Sequence, residues 1–196
     1  LGDAPIFGYE GVKLSQTRAM SSSESVSSVR GPYKSSIPGR VRIENHDFGR
    51  EGTEYQEIDS KDRGGEYRPS KCANIGTTHD LGGGYNVGWV AAGEWAEYTV
   101  GVKKGTYDVE FRLSSPYESR QLSLSLDGNT LGAVTDPDTG GWQDWATVTL
   151  SGVLISGGSS QILRIDADDG NYNINWVQFK DHVDQTTIPI PEDDYG

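Results

Sequence analysis

Two neighbouring segments of the chain alternate strictly between apolar and polar residues. They are residues 106–114, TYDVEFRLS, and the first six residues of 121–129, QLSLSLDGN, which then turns at Asp127-Gly128. The apolar members are Tyr107, Val109, Phe111 and Leu113 in the first segment and Leu122, Leu124 and Leu126 in the second. Successive side chains of a strand point to opposite faces, so a period of two indicates a strand with one buried face. Each segment is therefore predicted to be a strand that contributes one face to a core.

Shorter apolar runs separated by glycine turns continue along the chain. The other predicted strands are residues 41–45, 86–90, 95–102, 142–150, 161–167 and 172–180. The 26 glycines and the single methionine suit a turn-rich β protein better than a helical one. Because no amphipathic helix separates the runs, the pattern predicts an all-β fold. The predicted architecture is an antiparallel β-sandwich of the jelly-roll type with extended N- and C-terminal segments.

The composition divides the chain into three parts. Residues 1–40 are Ser-rich and are predicted to form a linker or strap, in which APIFGYEGVKL (4–14) docks on the sandwich or on a neighbouring subunit. Residues 41–181 form the predicted β-sandwich. Residues 182–196 form an acidic tail whose prolines favour an extended path. No charged and then apolar leader follows Leu1, so a signal peptide is expected to be absent or already removed.

The charge balance and the cysteine count exclude several kinds of function. With 17 basic and 29 acidic residues the net charge is −12, which opposes binding to nucleic acid or to an anionic membrane surface. No apolar run is long enough to span a membrane. The lone Cys72 excludes an internal disulfide and a thiolate metal cage. A neutral polymer such as a polysaccharide remains compatible with this charge.

The histidines and carboxylates form no recognisable catalytic motif. His46, His79 and His182 lie in loop-like sequence without HExxH spacing or a nucleophile elbow. A glycosidase needs two carboxylates across a cleft, but the sequence places no pair beside an apolar pocket that would keep one acid protonated. A hydrolase is therefore the least favoured function.

Aromatic residues beside glycines give the main functional signal. Residues 82–100, GGGYNVGWVAAGEWAEYTV, contain Trp89 and Trp95, and TGGW at 139–142 presents Trp142 directly after two glycines. Sugar rings have an apolar C–H face and a rim of hydroxyls, so an indole can cover the face while amide or carboxyl side chains bind the rim. Trp142 is interpreted as a binding residue, whereas core packing and binding both stay open for Trp89 and Trp95.

From about Val41 to Asp181 the chain resembles the family-6 carbohydrate-binding modules that are attached to polysaccharide-degrading enzymes. Six blocks follow the family's order: IPGRVRIEN, REGTEYQEIDSKDRGGEYR, GGGYNVGWVAAGEWAEYTV, GTYDVEFRLS, TGGWQDWATV and NYNINWVQF. The second block is most similar to modules found with agarases. Members of this family are non-catalytic β-sandwiches, so the resemblance implies sugar binding without cleavage.

The resemblance implies a sugar site in the loops at one end of the sandwich, where two aromatic residues clamp a terminal sugar. By the motifs these are Trp89 and Trp142, and the amide before the last strand is Asn173. A polar side chain of the GTEYQE segment lines this site in relatives. The candidates here are Glu54, Gln56 and Glu57. A second site on the concave sheet face, which some relatives use, would include Trp95.

The resemblance also implies a structural Ca²⁺, held by two acid or amide side chains two apart on the first strand and by one on the last. Glu44 and Asn175 match two of these positions, but Arg42 occupies the third, and a guanidinium supplies only donors and positive charge. Either Arg42 pairs with Glu44 in place of the metal, or a separate acidic cluster holds Ca²⁺ or is a solvated loop. The members of that cluster are Glu57, Asp59 and Asp62. Because the net charge favours a bound cation, Ca²⁺ is the expected cofactor.

The sequence therefore predicts a non-catalytic module that clamps a sugar of an extracellular, β-linked and agar-like polysaccharide between tryptophans. Its expected location is extracellular, secreted or at the cell surface, where it keeps an attached enzyme, or itself, near the glycan. The alternative is a structural subunit of an extracellular assembly that uses the same sandwich, with its termini contacting neighbours. The expected partners are oligosaccharides and polysaccharides, with self-assembly through the termini under the alternative.

Overall fold

Two β-sheets packed face to face make up the fold in the computed structural model, which describes residues 34–58, 61, 63–67 and 74–184. The strands over these residues are β1 Ser35–Ile37, β2 Gly39–Arg42, β3 Tyr55–Gln56, β4 Ile75–Thr77, β5 Tyr85–Val87, β6 Trp95–Val102, β7 Gly105–Ser114, β8 Arg120–Leu126, β9 Asn129–Asp136, β10 Ala146–Ile155, β11 Gly158–Asp166 and β12 Asn173–Asp181. A short 3-10 turn spans Ile43–Asn45. The predicted all-β sandwich is confirmed.

Each sheet combines strands that are distant in the sequence. The first sheet has the order β1-β6-β11-β8-β9, with β3 also paired to β6. The second sheet has the order β10-β7-β12-β5-β4, with β2 paired to β12. Neighbouring strands are antiparallel except β1, which runs parallel to β6 with Ser35 opposite Val100. The chain thus passes repeatedly between the sheets, as it does in jelly-roll folds.

The core lies between the sheets and contains the alternating faces identified in the sequence. The apolar residues of β7 and β8 are almost fully buried, and they pack against apolar residues of β6, β11 and β12. The buried side chains of β7 and β8 are Tyr107, Val109, Phe111, Leu113, Leu122, Leu124 and Leu126. Burying one large apolar side chain contributes about 1.5–3 kcal/mol. These two strands therefore stabilise the core to which the loops are attached.

Several strand boundaries differ from the sequence predictions. Strand β6 has the predicted bounds, but the strand predicted at 142–150 begins only at Ala146, and the one predicted at 86–90 ends at Val87. The segment 41–45 changes from strand to 3-10 turn after Arg42. Strand β9 was not among the predicted strands, and β1 lies within the predicted N-terminal strap. The strap's other predictions, on residues 1–33, and those on residues 185–196 of the tail fall outside the described residues.

Four loops meet at one end of the sandwich. They connect β5 to β6, β7 to β8, β9 to β10 and β11 to β12, and they comprise residues 88–94, 115–119, 137–145 and 167–172. The backbone N–H of Asn171 donates to the carbonyl of Val90 at 2.8 Å, and the hydroxyl of Ser115 donates to the carbonyl of Asn171 at 2.8 Å. The N–H of Ser115 donates to Thr139 Oγ1 at 2.9 Å. Because these bonds join different loops, they hold the loops in a fixed arrangement.

In the part of the chain that the structure describes, no helix has the length and hydropathy that crossing a membrane requires.

Candidate functional site

Three of these loops, residues 88–94, 137–145 and 167–172, line a cleft of about 780 Å³ together with residues of β4, β5, β8 and β12. Its aromatic and amide lining consists of Trp89, Trp142, Gln143, Asn86, Asn171 and Asn173, and its charged lining consists of Arg63, Arg120 and Asp169. Three of the residues predicted from the resemblance, Trp89, Trp142 and Asn173, therefore lie in one cleft. Exposed aromatic surface beside a few polar groups is typical of a small-ligand site.

Trp89 leaves the sheet immediately after β5 and is half exposed, at 50%. Its backbone has φ of 52°, in the left-handed region that residues other than glycine rarely adopt. Such a conformation costs roughly 1–3 kcal/mol and is found preferentially at functional sites. The ring lies over Gly76, where a Cβ would be 3.6 Å from Trp89 Cζ3. The chain thus turns sharply to present this indole to the cleft.

Trp142 lies in the turn before β10 and is 43% exposed. Gly140, with φ of 87°, allows the tight turn that precedes it. The Trp142 carbonyl accepts a hydrogen bond from the hydroxyl of Ser114 at 2.8 Å and a short one from Asn173 Nδ2. The indole is therefore exposed while its backbone is fixed to β7 and β12.

Asn173 is the first residue of β12 and is 6% exposed. Its amide nitrogen is bound to the Trp142 carbonyl, which leaves its carbonyl oxygen, Oδ1, as the group that can accept from a ligand. A Cβ at Gly88 would lie 2.7 Å from this oxygen, so glycine is required there. Asn173 thus holds the backbone of Trp142 through its amide nitrogen and lines the cleft as a polar residue.

Tyr117 and Arg120 belong to the same end of the molecule and were missed by the sequence analysis. Tyr117 is 47% exposed, and its ring meets the ring of Trp142 edge to face with centroids 5.9 Å apart. Arg120 Cζ lies 5.4 Å from the Tyr117 ring centroid. The signal for Tyr117 was its place in SSPYES, directly after the alternating strand, where an aromatic side chain has no core to enter.

Asp136 lies under the loops that carry Tyr117 and Trp142. It ends β9 with an inward-pointing side chain that is 1% exposed. Burial raises the pKa of this carboxyl to about 7, the hydroxyl of Ser115 offsets part of the shift, and the charge of Asp138 adds to it. The base of the loop cluster therefore contains an acid that is neutral below about pH 7.

The three candidates from the GTEYQE segment do not reach this cleft. Glu54 is buried and accepts the backbone N–H of Arg50 at 2.8 Å. Gln56 donates to the Glu51 carboxylate at 3.0 Å, and Glu57 accepts from Asn74 Nδ2 at 2.9 Å. Gln56 and Glu57 instead line a small cavity of about 60 Å³ in the apolar interior near Trp95. The structure therefore places these side chains in local hydrogen bonds rather than in the cleft.

Trp95 opens β6 and also lies away from the cleft. The Arg164 guanidinium covers its ring, with Cζ 3.9 Å from the centroid. Arg164 is held there by Asp166 Oδ1 at 2.7 Å and by Glu97 Oε1 at 3.8 Å. One face of the indole is thus already stacked against a cation, an arrangement that is attractive in itself.

The three positions at which the resemblance implied a calcium site contain an ion pair and an amide. Arg42 Nη1 lies 3.8 Å from Glu44 Oε1. Asn175 Nδ2 donates to Asp80 Oδ2 at 2.9 Å, and Asp80 also accepts from Arg112. Although burial acts in the opposite direction, hydrogen bonds from Arg112 and Asn175 hold the pKa of Asp80 below its usual value. Asp80 is therefore a charged partner for the Asn175 amide.

These residues do not fit a Ca²⁺ ion. Asn175 Oδ1 is buried and has no hydrogen-bond donor among the described residues, so it is one available oxygen. Ca²⁺ takes roughly six to eight oxygen ligands, and here a guanidinium stands where the third side-chain ligand would be. In the described ranges, no group of three or more His, Cys, Asp and Glu side chains is placed to hold a metal ion. The other predicted ligands are Glu57, which is described, and Asp59, which is not.

The β-sandwich and its aromatic cleft at the loop end define the class of the protein as a sandwich-type binding module. A family model described as carbohydrate-binding module, family 35, matches residues 70–179. Because the match covers more than half of the chain, the chain belongs to this family of carbohydrate-binding modules. Modules of this class are non-catalytic and are often part of larger glycoside hydrolases.

Two curated proteins contain similar segments. The chain is 32% identical over 126 residues to the clotting factor G alpha subunit of Tachypleus tridentatus, covering 62% of this chain and 18% of that protein. It is 34% identical over 92 residues to the beta-agarase AgaA of Microbulbifer thermotolerans, covering 46% of this chain and 19% of that protein. The chain thus spans about a fifth of the length of these curated relatives.

The family-6 resemblance is supported by solved structures. The family-6 module of Cellvibrio mixtus lichenase 5A, solved in complex with cellotriose, is 28% identical, with a TM-score of 0.58 over 74% of this chain and 98% of that module. The predicted membership among carbohydrate-binding modules is therefore confirmed. The matching family model has the number 35, and the similar structure belongs to family 6.

Proposed function

We propose that this chain holds a β-linked polysaccharide in the loop-end cleft without cleaving it. The observation that supports this most is the meeting of two exposed tryptophans and a buried amide, Trp89, Trp142 and Asn173, in one cleft. The indoles offer flat apolar surface for the C–H face of a pyranose. Asn173 Oδ1, with the amides of Asn86 and Gln143, offers hydrogen bonds for hydroxyl groups.

Fixed loops favour this function because they lose less conformational entropy when a ligand binds. The hydrogen bonds among Val90, Ser115, Thr139 and Asn171 join the loops before a ligand arrives. The Trp142 backbone is anchored to Ser114 and Asn173. A preorganised site retains more of its gross interaction energy as affinity. A weakly interacting neutral sugar is a ligand for which this gain matters.

The biological setting follows from the relatives by analogy. The module of Cellvibrio mixtus lichenase 5A was solved with cellotriose, and one curated relative is a β-agarase. We infer that this chain acts outside the cell, secreted or at the cell surface, and keeps an attached enzyme, or itself, near a glycan. The small share of each curated relative that it matches supports a role as one module of a larger protein.

The direct test is a glycan array probed with the full chain, followed by calorimetry on the best ligand. Binding to β-linked oligosaccharides without release of reducing ends over a long incubation is the expected result. Reducing ends released in proportion to protein concentration would make the chain a hydrolase. Absence of binding to any glycan, together with a particle larger than a monomer in light scattering, would favour the structural-subunit alternative.

A further inference from the structure

A second concave surface adjoins the cleft at Gln143. It is an open groove of about 540 Å³ between the loop that joins β4 to β5 and the loop before β10, and it includes Arg112 of β7 and Ala146 of β10. Its volume is within the range of roughly 300–1,000 Å³ that is usual for ligand pockets. Gln143 lines both the cleft and the groove. A ligand that extends out of the cleft past Gln143 therefore enters the groove.

The side chain of Gln143 is held in place at this boundary. Its Oε1 accepts the backbone N–H of His79 at 2.8 Å and the indole N–H of Trp145 at 3.3 Å. Its Nε2 donates a long bond of 3.4 Å to Asn86 Oδ1. Because an amide nitrogen has two hydrogens, Nε2 retains a second one for a ligand. Gln143 thus offers a fixed donor at the point where the cleft and the groove meet.

The groove has apolar surface of the kind that covers a sugar ring. Trp145 is half-buried, and its indole N–H is already bonded to Gln143, so the ring is oriented without a ligand. Leu81 also lines the groove and is 92% exposed. One exposed leucine is ordinary on a protein surface, but this one shares a groove with an indole next to a binding cleft.

The loop that carries Leu81 is fixed at both its ends and its middle. The backbone N–H of Thr78 donates to the carbonyl of Gly84 at 3.1 Å. Asp80 accepts from Arg112 Nη2 at 2.6 Å and from Arg112 Nε at 3.0 Å. Since the loop is ordered before a ligand arrives, contact with Leu81 costs little conformational entropy.

The charges in the groove suit a neutral ligand. Asp80 and Arg112 form an ion pair, so each neutralises the other. The other acids of the groove are Asp138 and Asp144, and both are exposed. Carboxylates accept hydrogen bonds from hydroxyl groups and repel anions. Apolar surface beside exposed acceptors therefore matches a neutral, hydroxyl-rich chain.

We propose that the groove lined by Leu81 and Trp145 binds further sugar units of the glycan whose end is clamped by Trp89 and Trp142. The proposal rests on the proposed function, because it assigns a continuation of the same ligand to a second surface. The groove differs from the sheet-face site predicted at Trp95, which lies on the other sheet. Gln143 is the residue that both parts of the ligand contact.

The first test is the dependence of affinity on chain length. Calorimetry on the full chain compares a short oligosaccharide with the hexasaccharide in four neutral series, the cello-, laminari-, xylo- and agaro-oligosaccharides. The short member is the trisaccharide, or the tetrasaccharide in the agaro series. In the series that the cleft binds, the hexasaccharide should bind roughly tenfold more tightly, as burial of one large apolar side chain would provide.

Leu81→Asp should remove most of this gain, because it replaces apolar surface by a charge that the ligand would have to desolvate. Affinity for the hexasaccharide should decrease roughly tenfold, and affinity for the short member should stay within about twofold. Leu154→Asp is the matched control. It also gives an exposed leucine a charge, but Leu154 lies near the far end of β10, whereas the groove is at Ala146, the first residue of that strand.

The outcomes separate this proposal from the proposed function. Wild-type affinity that is equal for the short and long members overturns the groove and leaves sugar binding in the cleft standing, and this measurement needs no variant. The groove is also excluded if Leu81→Asp keeps the full gain, or if it weakens the short member as much as the hexasaccharide. Absence of binding to every member of all four series overturns both proposals.

Discussion

The tryptophans at the loop end and those on the sheets differ in what covers their rings. At the loop end, Trp89 and Trp142 are 50% and 43% exposed. On the sheets, Arg164 Cζ lies 3.9 Å from the ring centroid of Trp95, and Arg40 Cζ lies 4.1 Å from that of Trp176. A stacked guanidinium is attracted by the ring and occupies the face that a sugar would need. Of these four tryptophans, only Trp89 and Trp142 therefore offer indole surface that no guanidinium covers.

Strand pairing explains this difference. Strand β11 pairs with β6 so that Asp166 is opposite Trp95 and Arg164 is opposite Glu97. A diagonal neighbour lies within reach of a long side chain, so Arg164 extends over the ring. In the second sheet, Arg42 is opposite Trp176, and Arg40 reaches the ring from the diagonal position. Trp89 and Trp142 lie outside the paired strands, and their indoles are 50% and 43% exposed.

The largest effect is expected when one loop-end indole is removed. Trp142→Ala should reduce glycan affinity by about 1–3 kcal/mol, the range for a central aromatic contact, which places weak binding beyond detection. Trp89→Ala should act in the same way. Calorimetry on the best ligand from the glycan array measures the loss, and circular dichroism verifies that the fold survives.

Trp95→Ala is the matched control for that comparison. It removes an indole that Arg164 already covers, so affinity should change by less than about twofold, too little for a lost hot-spot contact. A large loss in Trp95→Ala with none in Trp142→Ala would reverse the comparison and place the sugar on the sheet face.

A somewhat smaller loss is expected for Asn173→Ala. The change removes an acceptor from the cleft and the hydrogen bond that holds the Trp142 carbonyl, and Ser114 still holds that carbonyl. An ordinary hydrogen bond contributes about 0.5–1.5 kcal/mol, so affinity should decrease about tenfold or less. Asn129→Ala, at the start of β9 beyond the other end of β8, is the control and should bind normally. Wild-type affinity in Asn173→Ala would exclude this amide from the site.

The strands and the loop-end site were predictable to the extent that local patterns determine them. Strict alternation in β7 and β8 identified their buried faces, and the two glycines before Trp142 indicated an exposed residue at a loop exit, whereas Trp89 was assigned to the cleft only by the family resemblance. Strand β9 was not predicted because its alternation is weak: Leu131 and Gly132 are both half-buried, and Ala133 is exposed.

What the sequence could not reveal depends on contacts between distant residues. The cover on Trp95 comes from the register of β11, some seventy residues further along the chain. The candidates Glu54, Gln56 and Glu57 came from the family resemblance, but their segment folds back on itself, and Glu54 accepts the N–H of Arg50. Loop conformations of this kind follow from local hydrogen bonds that no periodicity records.

A third prediction concerns stability at the base of the loop end. Burial raises the pKa of Asp136 from 3.8 to about 7, so the folded state binds this proton more tightly than the unfolded state. Stability is then unimpaired below about pH 4 and decreases as the pH rises towards 7, because ionising the buried acid disfavours the folded state. Asp136→Asn should remove this decrease and stabilise the protein at pH 8 by on the order of 1 kcal/mol.

Melting temperatures of both proteins from pH 3 to pH 8 measure this effect. The difference in melting temperature between Asp136→Asn and the wild type should be small near pH 3. It should increase as the pH rises from about 4 to about 7 and then level off. Glu118→Gln removes an exposed carboxylate of the neighbouring loop and should show no such increase. A constant difference at all pH values would mean that Asp136 does not titrate in this range.

The smallest effect, on the melting temperature, is expected from removing divalent cations. This prediction concerns Arg42, the third arginine of the comparison. On the sheets, Arg164 and Arg40 cover indoles, and Arg42 lies 3.8 Å from the buried Glu44, where the resemblance implied Ca²⁺. Since Arg42 supplies the positive charge, a chelator should leave the melting temperature unchanged. A bound ion at a hundredfold excess over its dissociation constant would contribute about 2.7 kcal/mol, so its loss would be easily measured.

A decrease in melting temperature on adding the chelator would indicate a calcium site elsewhere, with Glu57 and Asp59 as the predicted ligands. Arg42→Glu tests the opposite direction, because it replaces the guanidinium by a carboxylate beside Glu44 and Asn175 and so supplies the missing oxygen ligand. In that variant, added Ca²⁺ should raise the melting temperature, whereas in the wild type and in Lys104→Glu it should not. If added Ca²⁺ does not change the melting temperature of Arg42→Glu, Arg42 is not what prevents Ca²⁺ from binding beside Glu44 and Asn175. The site then lacks further oxygen ligands.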